Sequence, residues 1–106
     1  MDIHAEAELF VLPESDGGRK SPFFSGYRPQ FRFDGRDNDC SITLLNGDQL
    51  GGGETGMVAL SFYRPELQSG RFSIGSAFAI AEGARVVGRG RITLIHDTSM
   101  LRESPD

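Results

Sequence analysis

The residues best suited to chemistry in this 106-residue chain are cations that lie near aromatic side chains. Four belong to or adjoin the stretch GGRKSPFFSGYRPQF (17–31), and two lie on a later segment: Arg19, Lys20, Arg28, Arg32, Arg89 and Arg91. Arginine presents a planar fork of donors that suits phosphate oxygens, and a neighbour such as Tyr27 can hold that fork by stacking. The pattern indicates phosphate contact. A solubilising surface offset by acidic residues is the alternative, which composition alone favours.

Other chemistries have weaker support in the sequence. GGGETG (51–56) satisfies G-x-G-x-x-G, but the strand-like MVALSFY follows it where a dinucleotide site needs a helix, so a flexible hairpin loop is expected. The chain has no G-x-x-x-x-G-K-[ST] motif, which leaves no sequence basis for hydrolysis of GTP or ATP.

The potential metal ligands and nucleophiles are isolated in sequence. His4 and His96 lack a suitably spaced partner ligand and are expected to be surface histidines. Cys40 is the single cysteine and is expected to be structural. Asp37 and Asp39 are interpreted as turn residues rather than an acid/base pair. We therefore expect no cofactor, no metal and no enzymatic activity.

Length and composition predict one soluble domain. The chain has eight Phe and no Trp, 38% hydrophobic residues and a net charge of −4, so any nucleic-acid site has to be a local basic patch. It has no apolar run long enough for a membrane span and no basic, apolar start, and we expect a cytoplasmic protein without a membrane partner.

Period-two alternation between Gly, Pro, Asp and Asn clusters predicts short β-strands. The expected strands are residues 6–12, 30–33, 41–45, 57–63, 76–81 and 85–95, which together indicate an all-β, small six-stranded closed barrel. DGRDND (34–39) is expected to be a polar turn. The barrel is assigned to residues 1–96 and a polar C-terminal tail to 97–106.

The last predicted strand places its arginines on one face. Alternation puts Arg85, Val87, Arg89 and Arg91 on one side, and residues 86, 88, 90, 92 and 94 on the other. A basic strip along the barrel wall is therefore expected.

Two segments carry a family resemblance. AEAELFVLPESDGGRKSPFFSGYRPQFRF (5–33) resembles the opening of domain 3, the C-terminal barrel of bacterial elongation factor Tu, and FAIAEGARVVGRGRI (78–92) resembles its closing hairpin. The resemblance spans roughly residues 5–95. It implies a six-stranded barrel without catalytic chemistry that, in the full factor, packs on the GTPase domain and helps hold the T-stem of aminoacyl-tRNA.

The resemblance also implies site residues. Arg19, Lys20 and Gln30 match positions that touch the tRNA backbone, and Glu82 with Gly83 matches another part of that surface. Arg89 and Arg91 are additions that would extend the basic surface. In the other direction, Asp39 stands near a threonine position of the family and adds repulsion toward phosphate. Ala77, Ala81 and Ala84 replace residues of the family pattern.

Two hypotheses remain open at this point. The first is a non-enzymatic binding module that holds tRNA or another RNA through seven residues: Arg19, Lys20, Gln30, Glu82, Gly83, Arg89 and Arg91. The second is a protein-docking module that binds or mimics elongation factor Tu or one of its partners in translation. Its anchors would be Phe24, Tyr27 and Arg28, because aromatic residues and arginine dominate interface energetics.

Overall fold

A computed structural model describes residues 2–102 and shows six antiparallel strands closed into a barrel. The strands are β1 (Ala5–Val11), β2 (Gln30–Phe33), β3 (Arg36–Leu44), β4 (Thr55–Phe62), β5 (Ala77–Glu82) and β6 (Arg85–Ile95). Their order around the barrel is β1-β4-β3-β2-β5-β6, so each strand has two hydrogen-bonded neighbours. Closure leaves no exposed sheet edge, and the predicted fold class is confirmed.

Aromatic side chains fill the barrel. Phe31 lies at the centre and contacts Phe78, Phe62 and Phe72 with ring centroids 4.5, 5.0 and 5.5 Å away. All four rings are buried. Burying a Phe side chain contributes about 1.5–3 kcal/mol, so these four rings stabilise the barrel together with the aliphatic residues packed around them.

The segment DGRDND is mostly strand, and its prediction as a turn was wrong beyond its first two residues. Phe33 pairs with Arg36 across a two-residue connection, Asp34–Gly35, in which both residues have positive φ. Such connections match the twist of antiparallel strands. Polar residues continue β3 because alternate positions face outward from the barrel.

A bulge changes the face assignment on β6. Ile80 pairs with Gly88 and Ala81 with Val86, so Val87 is an extra residue and points into the core, fully buried. The prediction that it shares the arginine face was therefore wrong. Arg89 and Arg91 do lie on the outer surface. Bulges shift side chains in this way because one strand gains a residue that its partner lacks.

Residues 2–102 also contain three short 3-10 helices: Glu14–Asp16 after β1, Pro65–Gln68 after β4 and Thr98–Met100 after β6. The last lies in the segment predicted as a tail, where Met100 is buried and Leu101 bridges to Phe72. The rest of that tail, residues 103–106, lies outside the described residues. Among residues 2–102, none of the helices has the length and hydropathy to cross a membrane.

Candidate nucleic-acid interface

Two glycines place Arg19 against the end of the barrel. Gly17 has φ +92°, a conformation that side-chain-bearing residues rarely adopt. At Gly18 a Cβ would lie 2.0 Å from the carbonyl oxygen of Leu12, so only glycine fits there. The loop after β1 therefore folds back against its own first residues, and the next residue, Arg19, lies beside Glu82 at the end of β5.

The carboxylate of Glu82 collects three donors at this end of the barrel. Tyr27 donates its hydroxyl to Oε2, and Nη1 of Arg19 lies 3.1 Å from the same oxygen. Nη2 of Arg85 lies 3.6 Å from Oε1. The guanidinium of Arg19 also lies over the Tyr27 ring, 4.6 Å from its centroid. We call these four residues the Glu82 cluster.

The Glu82 cluster combines two cations with one carboxylate and a phenol that stays neutral. Burial and the hydrogen bond to Glu82 raise the pKa of Tyr27 well above its usual range, so its hydroxyl remains a donor at neutral pH. The side chains of Arg19 and Glu82 are only 25% and 32% exposed, which limits the motion of the arginine. Lys20, the next residue, is exposed.

The other two residues predicted at this surface flank the cluster. Gln30 pairs with Ala81 on β5 and with Asp39 on β3. The acidic residue Asp39 is therefore a direct neighbour of Gln30 in the sheet. Gly83 forms the β5–β6 turn, and its carbonyl accepts a hydrogen bond of 3.0 Å from Nη2 of Arg32. The structure thus brings Arg19, Gln30, Glu82 and Gly83 to one end of the barrel.

Arg32 supports this end as a structural residue. It binds Asp37 through two hydrogen bonds of 2.7 and 2.9 Å in addition to the one that holds Gly83. The guanidinium holds the pKa of Asp37 below its usual range. These bonds use Nε and Nη2, and among the described residues Nη1 donates no hydrogen bond, so most of the Arg32 donors hold the protein's own groups.

Arg89 and Arg91 do not join the Glu82 cluster. Arg89 pairs with Ala79 and Arg91 with Ala77, which puts them about 10 and 17 Å along β5 from Glu82 at about 3.3 Å per residue. Within residues 2–102 neither arginine forms an ion pair. They belong to a separate surface.

The three predicted docking residues differ in accessibility. Phe24 is 50% exposed, and Arg28 is exposed with its guanidinium 4.3 Å from the ring centroid of Tyr63. Tyr27 is half-buried between Phe23 and Arg19, so it presents little of its ring.

The histidines and the cysteine have local structural partners. His4 was expected at the surface but is buried, and its Nδ1 accepts a hydrogen bond of 2.9 Å from the Phe62 amide. His96 is exposed, and its Nε2 lies 2.6 Å from Oε2 of Glu6. Cys40 is fully buried, and burial, with the nearby charge of Asp39, raises its pKa to about 12. Across the described residues no three His, Cys, Asp or Glu side chains form a potential metal site.

The sequence profile described as the elongation factor Tu C-terminal domain matches residues 3–96, most of the chain. The chain belongs to this family. The elongation factor Tu C-terminal domain is a non-catalytic barrel, and the GTPase activity of the factor lies in its first domain, to which none of these residues corresponds. Membership implies a general relation to translation and to its machinery. The resemblance found in the two quoted segments is therefore confirmed.

Several arginines on the surface of this elongation factor Tu barrel were not predicted as site residues from the sequence. Arg85 was interpreted only as part of the β6 face, although its position three residues after Glu82 in a tight turn was a usable signal. Arg36, Arg71 and Arg102 lie on three different segments and meet only in the folded barrel. No local sequence pattern marks them.

Proposed function

We propose that this chain is a non-enzymatic binding module that holds an RNA backbone, tRNA in particular, at the Glu82 end of its barrel. Arg19 and Lys20 would contact phosphates, Gln30 would donate its amide, and Glu82 with the Gly83 turn would position them. In this proposal the chain works in the cytoplasm alongside the translation machinery. Arg89 and Arg91 lie farther along the barrel wall and are not part of this proposed contact.

The observation that carries the proposal is the fixed position of Arg19. Stacking on Tyr27 and the bond to Glu82 hold the guanidinium in one orientation at the family-matched position. A preorganised arginine loses less conformational entropy when it binds phosphate. The exposed Lys20 beside it adds a second, mobile charge.

The same surface limits the affinity. Glu82 neutralises part of the Arg19 charge, Asp39 lies next to Gln30, and the chain carries a net charge of −4. We therefore expect weak binding that depends on salt. Two phosphate contacts correspond to a slope of about −1.5 in log K against log salt concentration.

Fluorescence anisotropy of labelled tRNA at several salt concentrations tests this function. Arg19→Glu should abolish binding, because it reverses a charge at the phosphate contact. Arg64→Glu is the matched control: the charge change is identical, but Arg64 is exposed and its only ion pair within residues 2–102 is with Glu66. Binding that does not vary with salt, or an equal loss in both variants, would contradict the proposal.

Protein docking is the second candidate function. It is favoured by the exposure of Phe24 and of Arg28, an aromatic residue and an arginine that could anchor a partner such as elongation factor Tu or a protein that binds it. Immobilised protein should then retain a purified translation factor, and Phe24→Ala should release it. Retention that survives Phe24→Ala would remove this anchor from the interface.

A further inference from the structure

Two adjoining grooves run along the barrel wall, and Arg32, which lines one of them, also reaches the Gly83 carbonyl beside the Glu82 cluster. One, of about 520 Å³, crosses the outer face of β2, β5, β6 and β1, and the other, of about 570 Å³, lies beside the β2–β3 turn. Phe33, Asp34 and Ala77 line both, which makes the two grooves neighbours. We call them together the arginine trough, because six arginines line it: Arg32, Arg36, Arg71, Arg89, Arg91 and Arg102.

Charge is distributed unevenly between the trough and the rest of the chain. The trough holds six of the eleven Lys and Arg residues but only two of the fifteen Asp and Glu residues, Glu8 and Asp34. Among residues 2–102, Arg32 is the only one of the six with a carboxylate in ion-pair contact. A protein with a net charge of −4 therefore concentrates its positive charge here.

The trough is shaped by small residues and by a fixed arginine. Ala77 and Ala79 line the floor of the trough. A Cβ at Gly90 would lie 2.6 Å from the Phe78 ring, so only glycine at this position leaves room for that ring under the floor. Arg71 donates to Gln68 and to the Phe33 carbonyl at 2.6 and 2.8 Å. Burial, together with the positive charge of Arg36, lowers the pKa of Arg71.

We propose that the arginine trough binds an acidic peptide segment of a protein partner. Arginine forks bind carboxylates through paired hydrogen bonds, and the apolar floor of Ala77, Ala79 and Phe78 suits the side chains between them. A peptide fits this trough better than RNA does. Glu8 and Asp34 repel a continuous polyanion, whereas a peptide can place neutral groups beside them.

A labelled peptide of alternating Glu and Leu, measured by fluorescence anisotropy at low salt, tests the proposal. We expect binding that weakens with salt, and no binding of the corresponding Gln and Leu peptide. Arg91→Glu should lower the affinity about tenfold or more, because a charged hydrogen-bond donor is replaced by a like charge. Arg91 is exposed but lies opposite Glu8 on β1, so the variant should stay folded and lose no more than about 8 °C of unfolding temperature.

A charge-matched variant, measured at physiological salt, completes the experiment. Arg64→Glu should bind the peptide within about twofold of wild type, since a Debye length of about 8 Å screens charges that lie beyond the trough. An absence of peptide binding, or an equal loss in Arg64→Glu, would overturn the proposal. So would an oligouridylate that displaces the peptide and itself loses affinity in Arg91→Glu, because the trough would then be an RNA surface.

Discussion

Replacing Glu82 by alanine removes the acceptor that joins the loop after β1 to the β5–β6 hairpin. The Tyr27 hydroxyl loses its partner, and Arg19 and Arg85 are left facing each other without the carboxylate between them. Glu82→Gln is the informative comparison, because an amide oxygen can still accept from Tyr27 while the negative charge is gone.

The magnitude follows from the contacts and their exposure. A hydrogen bond to a charged acceptor contributes about 1.5–3 kcal/mol, and the lower end applies here because the Glu82 side chain is 32% exposed. The partly exposed ion pairs add about 0.5 kcal/mol. Glu82→Ala should therefore lower the free energy of unfolding by about 2 kcal/mol, and Glu82→Gln by about half as much. For a domain of this size, 1 kcal/mol corresponds to about 4–8 °C in Tm.

Urea and thermal unfolding at neutral pH measure both changes, with Glu66→Ala as the control. Glu66 is exposed and pairs only with Arg64 among the described residues, so its removal should leave the unfolding midpoint unchanged. The tRNA assay provides a second readout: Glu82→Gln should bind RNA more tightly, because a negative charge leaves the surface while Tyr27 keeps an acceptor. If Glu82→Ala is as stable as wild type, or indistinguishable from Glu66→Ala, the cluster does not hold this end of the barrel together.

Two further predictions concern the scaffold. Cys40 should resist thiol reagents in the folded protein at neutral pH, and stability should fall as pH rises from about 9 to about 12, because the unfolded thiol releases its proton before the buried one does. Urea unfolding across that range should show a flatter pH dependence for Cys40→Ala, and an identical one would exclude the thiol as the cause. Gly18→Ala should destabilise the barrel by more than about 2 kcal/mol, since its Cβ meets the Leu12 carbonyl. Gly51→Ala, where the nearest atom belongs to the flexible Glu54 side chain, should have a smaller effect in the same unfolding assay, and equal losses would show that the close approach is unimportant.

Strand positions were predictable where hydrophobic alternation is regular. β2 and β6 begin and end at the predicted residues, because Gln30–Phe33 and Arg85–Ile95 are bounded by strong turn formers. β3 was predicted to begin at residue 41, five residues after its actual start, and to end one residue after its actual end. Its first half is polar, and only pairing with β2 shows that Arg36 and Asp37 belong to a strand. Composition near a turn does not distinguish a loop from a strand whose side chains face solvent.

The site was predictable only where its residues are close in sequence or match the family pattern. Arg19, Gln30, Glu82 and Gly83 do lie at one end of the barrel. The burial of Val87 could not be predicted, since a bulge depends on the partner strand. The arginine trough could not be predicted either. Arg71 lies in the connection after β4, and Arg102 lies after β6, so the two are far apart in sequence. Closure of the barrel brings these segments together.

The arginine trough and the Glu82 cluster are far enough apart for salt to screen the charge of a ligand at one from a ligand at the other. Arg91 lies about 17 Å from Glu82 along β5, beyond the Debye length of about 8 Å at physiological salt. Arg32 lies nearer, since it bonds to the Gly83 carbonyl, but its charge is paired with Asp37. Charge at one surface is therefore largely screened from a ligand at the other, and RNA and an acidic peptide would bind with little mutual repulsion. At low ionic strength the screening weakens, and two anionic ligands on one small barrel should then oppose each other. Measuring tRNA affinity with and without saturating peptide, at low and at physiological salt, would show antagonism only in the first condition if the two surfaces are distinct. Antagonism of equal size in both conditions would mean that the ligands compete for the same arginines.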